Sequence, residues 1–534
     1  MLTIPPKRPV RFFNTTGPCN PWDHYMLPPE ERLVGAQLHR YIRDKLYWVL
    51  HAPWQTGKTT FLQSWMRQIN SGDEVVACYA SLETCQGIYE RAEAMRTMHY
   101  AICESARASG LLIPELPVDN PELLLYQTMQ RWSSLIAPKP LIVLFDEVDV
   151  LEGESLISFL RQLRSGFAVR DVGKFPVSVA LVGMRDLKDY ITAAKSDQRS
   201  GGVAPNPGSP FNTKEDSAVL SNFTKTDVEN LFAQRTEETG QTIKRDALEY
   251  VFEQSNGQPW IVNSLFKRAT MRILQKDNYS TVTLAHIREA REQMILARET
   301  HLDSLAVRIQ EPAIRKVMES IITGTPDPEL TASEGFRICM DLGLVVKERG
   351  TPKVANPIYK EVLARQLTYS TQDAIPEPEW QWEKPDGSLD MNALLREFQM
   401  FWRKHSEIWE QKSDYTEAFP HLLLMAFLQR VLNGGGRIER EYAAGRGRMD
   451  LAVEYNKKVC IVEIKLVHTY DTPEEVRKDG IAQITKYRNS LYSSAPLYLV
   501  IFDRRSGVKD KPWDERIYWQ EEAVPGGMVT VVGC

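Results

Sequence analysis

The sequence predicts an α/β protein in two parts: a parallel sheet covered by helices on both faces, then a second, separate α/β unit. Three observations predict it. Short apolar runs alternate with helical stretches over residues 46–182, the order that produces a parallel sheet. A Gly-Lys-Thr turn stands between the first of those runs and a helix. Residues 371–392 carry prolines and acids with little periodicity and read as a linker before residues 393–534.

In chain order, residues 1–30 are an irregular lead-in rich in prolines and aromatics, among them Phe12, Phe13, Trp22 and Tyr25. Residues 31–45 have helical apolar spacing, and Leu46–Leu50 is a short apolar run that reads as a buried strand. A turn and a helix over about 58–70 follow. Then come a strand at Val75–Ala80, helices over about 86–109 and 121–136, a strand at Leu141–Phe145, a helix over about 155–165 and a strand at Val177–Val182. Residues 196–215 are rich in Gly, Pro, Ser and Asn and read as a loop. From 226 to about 300 the reading is all helix, as expected of a lid. Residues 305–370 read helix, helix, a strand at Leu344–Lys347, a turn at Arg349–Gly350 and a short strand at Val354, the outline of a winged helix. No internal repeat is visible.

With 534 residues the chain has room for three to four domains at ~150 residues each, which excludes a single small binding module. Hydrophobic residues at 43% and charged residues at 25% exclude global disorder. The apolar stretches around Leu141–Phe145 and Leu422–Leu428 fall short of the ~18–20 residues needed to cross a bilayer, so no membrane partner is expected. MLTIPPKRPVRFF has prolines where a signal peptide needs an apolar stretch. Seven cysteines without a CxxC pair speak against zinc knuckles and disulfide frameworks, and a cytoplasmic protein with reduced thiols is expected. A net charge of −5 leaves any nucleic-acid contact to local basic patches.

The first candidate site is HAPWQTGKTT, which matches GxxxxGK(S/T) except that Ala52 replaces the first glycine. Backbone N–H groups of Gln55, Thr56, Gly57, Lys58, Thr59 and Thr60 can line an anion at a helix N-terminus. Lys58 can reach β- and γ-phosphate oxygens, and Thr59 can offer its hydroxyl to Mg2+, so ATP and Mg2+ are the expected cofactors. LIVLFDEVDVL adds Asp146 at the end of a buried strand, placed to hold the water shell of Mg2+, and Glu147, placed to polarise an attacking water. Asp149 reads as structural or as a helix cap. Arg185, beyond the strand 177–182, is a γ-phosphate sensor or an ordinary surface arginine. Arg164 and Arg170 are candidate arginine fingers. In Gly257-Gln-Pro259-Trp260, Pro259 can pack on the base, or the segment is a helix-connecting turn with a core tryptophan.

Together FNTTGPCNPWDHYMLPPEERL, HAPWQTGKTT, LFDEVDVL, LVGMRDL, SPFN and SNGQPWIVNSL resemble the bacterial AAA-like ATPase family, near the archaeal-ATPase and STAND-type P-loop proteins. The resemblance covers residues 10–370. It implies that Ala52 is an ordinary residue at its position, that the lead-in around Tyr25 and Met26 borders the adenine, and that residues 341–363 belong to a winged helix behind the lid.

The second candidate site lies in REYAAGRGRMDLAVEYNKKVCIVEIKL. Met449–Tyr455 and Val459–Leu466 read as two strands, and if Tyr455 pairs with Lys458 across a two-residue turn, Asp450 lies opposite Glu463. Lys465 then shares the Glu463 face, while Val462 and Ile464 point into the core. Two carboxylates so close repel unless a cation lies between them; Asp450, Glu463 and the Ile464 carbonyl are candidate Mg2+ ligands. Lys465 can orient the attacking water and offset transition-state charge. The alternative is a solvent-facing hairpin of mixed charge. A helix over 474–491 places Gln483 and Tyr487 on one face, and Arg437, Arg440, Arg446 and Arg448 suit phosphate contact. A helix over 415–432 carries Glu417 at its start.

A helix, a hairpin carrying D…ExK and a helix carrying Gln resemble the PD-(D/E)XK nuclease superfamily over about residues 393–520. The stretch, with FQMFWRKHSEIWEQ ahead of it, looks like the nuclease domain often fused to this same ATPase type. The resemblance implies that Asp450, Glu463 and Lys465 carry cleavage, that Gln483 supports them, and that Glu417 matches a less constant helix acid. The motif proline is absent, since Met449 precedes Asp450.

The expected fold class is therefore α/β: a P-loop parallel-sheet ATPase core (31–225) with helical lid (226–303) and winged helix (304–370), then a C-terminal α/β PD-(D/E)XK nuclease-like domain (393–534). The expected function is ATP-driven or ATP-gated, Mg2+-dependent DNA cleavage by a homo-oligomer, in defence against foreign DNA or in genome maintenance. The alternatives are an ATP-switched scaffold whose nuclease fold does not cut, and a DNA-binding regulator acting through the winged helix.

Overall fold

The structure is a computed structural model. It describes residues 10–34, 38–113, 120–184, 214–363 and 383–534, except 276, 278, 297–299, 323–327, 411–422, 426, 429–435, 441–442, 445–446, 449–450, 457, 468–470, 492–493, 504, 506–507 and 509–510. Close contacts divide the chain into two units: one of Met1–His301, Arg337–Val346 and Ala355–Ile358, the other of Leu302–Phe336, Lys347–Val354 and Tyr359–Cys534. Among the described residues no helix is long and apolar enough to cross a membrane.

The first unit is built on six strands: β1 (Leu33–Val34), β2 (Tyr47–His51), β3 (Val76–Ser81), β4 (Leu141–Asp146), β5 (Ser178–Gly183) and β6 (Lys214–Leu220). Their order across the sheet is β1-β6-β2-β5-β4-β3. All neighbours are parallel except the short β1, which runs antiparallel to β6. The expected strands are present within a residue of their expected ends. β4 and β5 are buried at every position, as strands covered on both faces must be. Alternate side chains feed two cores. Tyr47, Val49, Val143, Phe145, Val179 and Leu181 pack with helices α3 (Arg91–Ala108), α4 (Leu124–Leu135) and α5 (Gly153–Phe167). Trp48, Leu50, Ile142, Leu144, Ala180 and Val182 pack with α1 (Leu38–Arg43) and α2 (Lys58–Asn70). Neither β1 nor β6 was expected: KEDSAVL has only three apolar residues, and its pairing with β2 comes from tertiary context.

Helices Lys225–Thr239, Arg245–Ser255, Pro259–Lys267 and Leu284–Leu296 follow, and a π-helical turn at Arg268–Ile273 extends the third. This is the helical stretch expected over 226–300. Thr224 opens it with a capping box closed by Asp227. Gly257, at φ +70°, sits where an added Cβ would stand 1.8 Å from the Phe223 carbonyl oxygen. Gly257→Ala therefore meets both a left-handed backbone and a main-chain clash. We expect it to destabilise the protein by about 2–4 kcal/mol, read as a lowered urea midpoint. Strands β7 (Val345–Glu348) and β8 (Thr351–Val354) form a hairpin about the expected turn at Arg349–Gly350.

The second unit carries a six-stranded sheet of β9 (Gly436–Arg440), β12 (Leu451–Tyr455), β13 (Lys458–Val467), β14 (Leu497–Asp503), β15 (Tyr518–Val524) and β16 (Gly527–Gly533). A small ribbon of β10 (Ala443–Ala444) and β11 (Gly447–Arg448) stands apart from it. The sheet order is β15-β16-β14-β13-β12-β9; β13, β14 and β16 are parallel, and the outer pairings are antiparallel. The helix Met391–Glu410 covers one face, with Phe398 and Trp402 ring centroids 6.0 and 5.1 Å from that of Phe502. The helix Pro473–Leu491 covers the other, with Ile484 packed on Ile461, Leu499 and Val531. Residues 383–389, read as linker from sequence, instead form a turn on the β12–β13 hairpin. Tyr455 donates to Glu383 at 3.0 Å, Lys458 pairs with Asp386 at 2.7 Å, and Asn456 donates to the Gly387 carbonyl at 3.1 Å.

Candidate functional site

β2 delivers the chain into the loop His51–Lys58, and α2 leaves it. Gln55 and Gly57 hold left-handed backbone, at φ 58° and 96°. Gly57 is the N-cap of α2, and among the described residues no side chain caps that helix, so its first N–H groups face the loop. Ala52 is not among the positive-φ residues and its side chain is buried. An alanine fits there, which explains why the departure from the glycine pattern is tolerated.

Lys58 Nζ donates to the Ala52 and Pro53 carbonyls at 2.8 and 3.0 Å. Burial pulls its pKa down, opposed by Asp149, then Asp146 and Glu147. Thr59 Oγ1 donates to Asp146 Oδ2 at 2.6 Å, and the Tyr79 hydroxyl reaches the same oxygen at 3.3 Å. A hydroxyl and a carboxylate already in contact are the hard oxygen donors that suit Mg2+. Burial raises the Asp146 pKa, opposed by the Thr59 hydrogen bond. Glu147, in left-handed backbone at φ 57°, has its carboxyl pushed up to about 7 by burial and by neighbouring Asp146. Thr56 is buried and its hydroxyl donates to the Pro53 carbonyl at 2.8 Å. Thr60 Oγ1 accepts from the Cys19 N–H at 3.0 Å, which brings the lead-in onto the loop. The structure thus brings Lys58, Thr59, Asp146 and Glu147 together at the end of β4 and the start of α2.

Asp149, read as structural or as a helix cap, is the acid that most favours the charged form of Lys58. Its Oδ1 lies 2.9 Å from where a Gly183 Cβ would stand, so glycine at the end of β5 makes room for it. Pro259 opens its helix and is buried. Gln258 caps that helix by accepting from the Ile261 N–H at 2.7 Å, and Trp260 Nε1 donates to the Thr15 carbonyl at 3.0 Å. Tyr25 is buried against Phe13, with centroids 4.9 Å apart, and Gln234 donates to the Met26 carbonyl at 2.9 Å. Arg185 lies outside the described residues.

Arg170, a candidate arginine finger, is held by its own chain. Its guanidinium donates to the Lys45 carbonyl at 2.9 Å and the Phe167 carbonyl at 2.7 Å, and stacks 3.4 Å from the Phe167 ring centroid. Lys45 precedes β2, so Arg170 stands at the edge opposite the phosphate loop. Chain direction puts it there: α5 leaves the carboxyl end of β4 and returns to the amino end of the parallel β5, carrying Arg164 and Arg170 with it.

In the second unit the expected register is present. Tyr455 pairs with Lys458, and the pairing runs unbroken to Leu451 opposite Val462. Asp450, Arg446 and Glu417 lie outside the described residues, while Arg437, Arg440 and Arg448 fall on strands. β13 runs on to Val467, paired with β14. Lys465 Nζ sits between Glu463 Oε1 at 3.0 Å and Gln483 Oε1 at 2.8 Å. Glu463 is wholly buried, where sequence alternation had suggested an open face. The reason is that the helix Pro473–Leu491 covers that face. Gly480 of this helix makes the close fit possible: an added Cβ would lie 2.7 Å from Leu499 and 3.3 Å from Lys465 Cγ. Among the described residues no three His, Cys, Asp or Glu side chains converge as a metal site.

Residues 415–503 match the family model of the PD-(D/E)XK nuclease superfamily. No curated protein matches the chain. Among solved structures it is similar to the Walker-type ATPase PABY2304 of Pyrococcus abyssi, at 14% identity and a TM-score of 0.48, covering 66% of this chain and 99% of that one. It is also similar to the Aeropyrum pernix ORC2 protein, at 14% identity and a TM-score of 0.38, covering 62% and 91%. A third is the Thermotoga maritima RuvB Holliday junction branch migration motor, at 14% identity and a TM-score of 0.33, covering 61% and 90%. The chain thus carries a glycine-lysine-threonine loop between a strand of a parallel sheet and a helix in its first unit, and over residues 415–503 it is similar to the PD-(D/E)XK nuclease superfamily.

Proposed function

We propose that the chain hydrolyses ATP and that its nucleotide state controls a Mg2+-dependent nuclease acting on DNA. The observation that carries the nuclease half is the Lys465 ammonium held between Glu463 and Gln483, on a strand and helix inside the superfamily match. Thr59 and Asp146 would hold one metal ion; Asp450, Glu463 and the Ile464 carbonyl would hold another. Bound Mg2+ would supply charge neutralisation at both sites, with water and substrate oxygens completing its shell. Lys58 binds β- and γ-phosphate oxygens, with the N–H groups of Gln55 to Thr60 around them. Glu147 takes the proton of the attacking water, and a raised pKa suits a base. Pro259 borders the base, and Arg185 reads the γ-phosphate. In the nuclease, Lys465 orients the water and offsets phosphorane charge, Gln483 fixes Lys465, and Arg437, Arg440, Arg446 and Arg448 contact the phosphate backbone. The lid, the winged helix, a homo-oligomeric assembly and a cytoplasmic setting belong to the same reading.

The test is the purified protein with plasmid, linear and branched DNA, with and without ATP and Mg2+. Cleavage that needs Mg2+ and changes with ATP supports the reading. The full burial of Glu463 favours the second reading, a nuclease fold that binds without cutting. Absence of cleavage on every substrate, with ATP hydrolysis intact, would establish that alternative. Glu147→Gln should keep ATP binding and lower its hydrolysis at least ~100-fold, measured by phosphate release beside calorimetric binding.

A further inference from the structure

Two side chains from outside the phosphate loop hold its outward carbonyl groups. Arg32 ends the 3-10 turn Pro29–Arg32 and is 8% exposed. Its Nη2 donates to the Thr56 carbonyl at 2.6 Å and to the Ser221 carbonyl at 2.6 Å, and its Nε donates again to Ser221 at 2.9 Å. Ser221 answers with its N–H and hydroxyl on the Arg32 carbonyl, at 3.0 and 2.9 Å. The guanidinium carbon stands 4.8 Å from the Phe223 ring centroid. Phe223 in turn donates its N–H to the Gly257 carbonyl at 2.8 Å. The next residue, Gln258, donates from Nε2 to the Trp54 and Gln55 carbonyls at 3.4 and 3.3 Å. The contacts close a ring: from Thr56 through Arg32, Ser221, Phe223, Gly257 and Gln258 back to Gln55.

The charge in that ring is unbalanced. Among the described residues the hydrogen-bond acceptors of Arg32 are neutral carbonyls. Burial pulls its pKa down to about 10, and the acid that acts on it most is Asp227. That carboxylate already accepts from the Thr224 N–H and hydroxyl. A buried cation without a contact anion gains from an anion placed nearby. Arg32 Nη1 lies 3.5 Å from where a Gly57 Cβ would stand, directly behind the loop that would cradle phosphate.

We propose that Arg32 is a positioning residue for nucleotide binding: it sets the loop through the Thr56 carbonyl and, with Gln258, ties phosphate occupancy to the helix Pro259–Lys267. This rests on the nucleotide reading above. Two variants separate charge from linkage in the full-length chain. Arg32→Lys keeps the charge but cannot span two carbonyls as a guanidinium fork does. Gln258→Ser keeps a good helix cap but is too short to reach the loop. Affinity for ADP with Mg2+ is measured by calorimetry, and amide hydrogen exchange over residues 257–267 is measured without and with saturating ADP.

In the wild type, ADP should slow exchange over 257–267 by at least ~5-fold. Arg32→Lys should weaken ADP binding at least ~5-fold, and both variants should lose the slowing even at saturation. Wild-type slowing in Gln258→Ser, or wild-type affinity in Arg32→Lys, overturns the linkage. Should Arg32→Lys fail to fold, the serine variant decides alone. A wild-type chain that binds ADP with no change over 257–267 overturns the linkage but leaves the nucleotide reading standing. A wild-type chain that binds no nucleotide overturns both.

Discussion

Glu463→Gln and Lys465→Ala should each lower DNA cleavage at least ~100-fold while ATP hydrolysis continues, because they lie in the other unit from the phosphate loop. The two should differ in kind. Glu463 is wholly buried with Lys465 Nζ 3.0 Å away, and its carboxylate is the proposed metal ligand. The amide in its place is a poorer ligand and carries no charge, so Mg2+ affinity should fall together with rate. Lys465→Ala leaves the proposed ligands in place. It removes the ammonium that Gln483 holds at 2.8 Å, so Mg2+ should still bind while the chemical step slows. Calorimetric Mg2+ titration beside a cleavage assay on the same preparations reads both effects. Wild-type cleavage by Glu463→Gln would make the hairpin a structural ion pair and give precedence to the non-cutting scaffold.

What was legible in the sequence was what local pattern controls. Alternation of strands and helices located β2, β3, β4 and β5, and a two-residue turn at Asn456 set the register from Tyr455–Lys458 to Leu451–Val462. Strand spacing put Glu463 and Lys465 on one face, the family resemblance added Gln483, and the structure brings the three side chains together. What escaped depends on distant segments. The strand Lys214–Leu220 is mostly polar and exists because β2 pairs with it. Arg32 meets Ser221 across 189 residues of chain, and Gln258 meets Gln55 across 203. No local signal reports either contact, although both residues lie in stretches that carried the family resemblance. The burial of Glu463 escaped because alternation assigns a residue to a face but not what covers that face. The placing of Arg170 beside Lys45 escaped too, since nearness in sequence to Asp146 is not nearness in space when the intervening helix runs back along the sheet.

Lys58→Ala should lower ATP hydrolysis at least ~100-fold and weaken ATP binding, with the protein still folded. The lysine now spends its donors on the Ala52 and Pro53 carbonyls, at 2.8 and 3.0 Å. Neutral carbonyls are weaker partners for an ammonium than phosphate oxygens, so nucleotide should draw Lys58 off them at little cost. The acids around it, Asp149, Asp146 and Glu147, favour its charged form against burial. Alanine removes that cation and leaves three carboxylates beside the incoming phosphates, so repulsion adds to the lost attraction. Asp149→Asn should act more mildly, because it relieves repulsion while loosening the hold on Lys58. Calorimetry with ATP and Mg2+ and a phosphate-release assay measure the two effects. DNA cleavage by Lys58→Ala, with and without ATP, then tests the control of one unit by the other. If ATP acts on the nuclease through this loop, the variant should cut at one rate whether or not ATP is present. Wild-type hydrolysis in Lys58→Ala would sink the assignment of the loop itself.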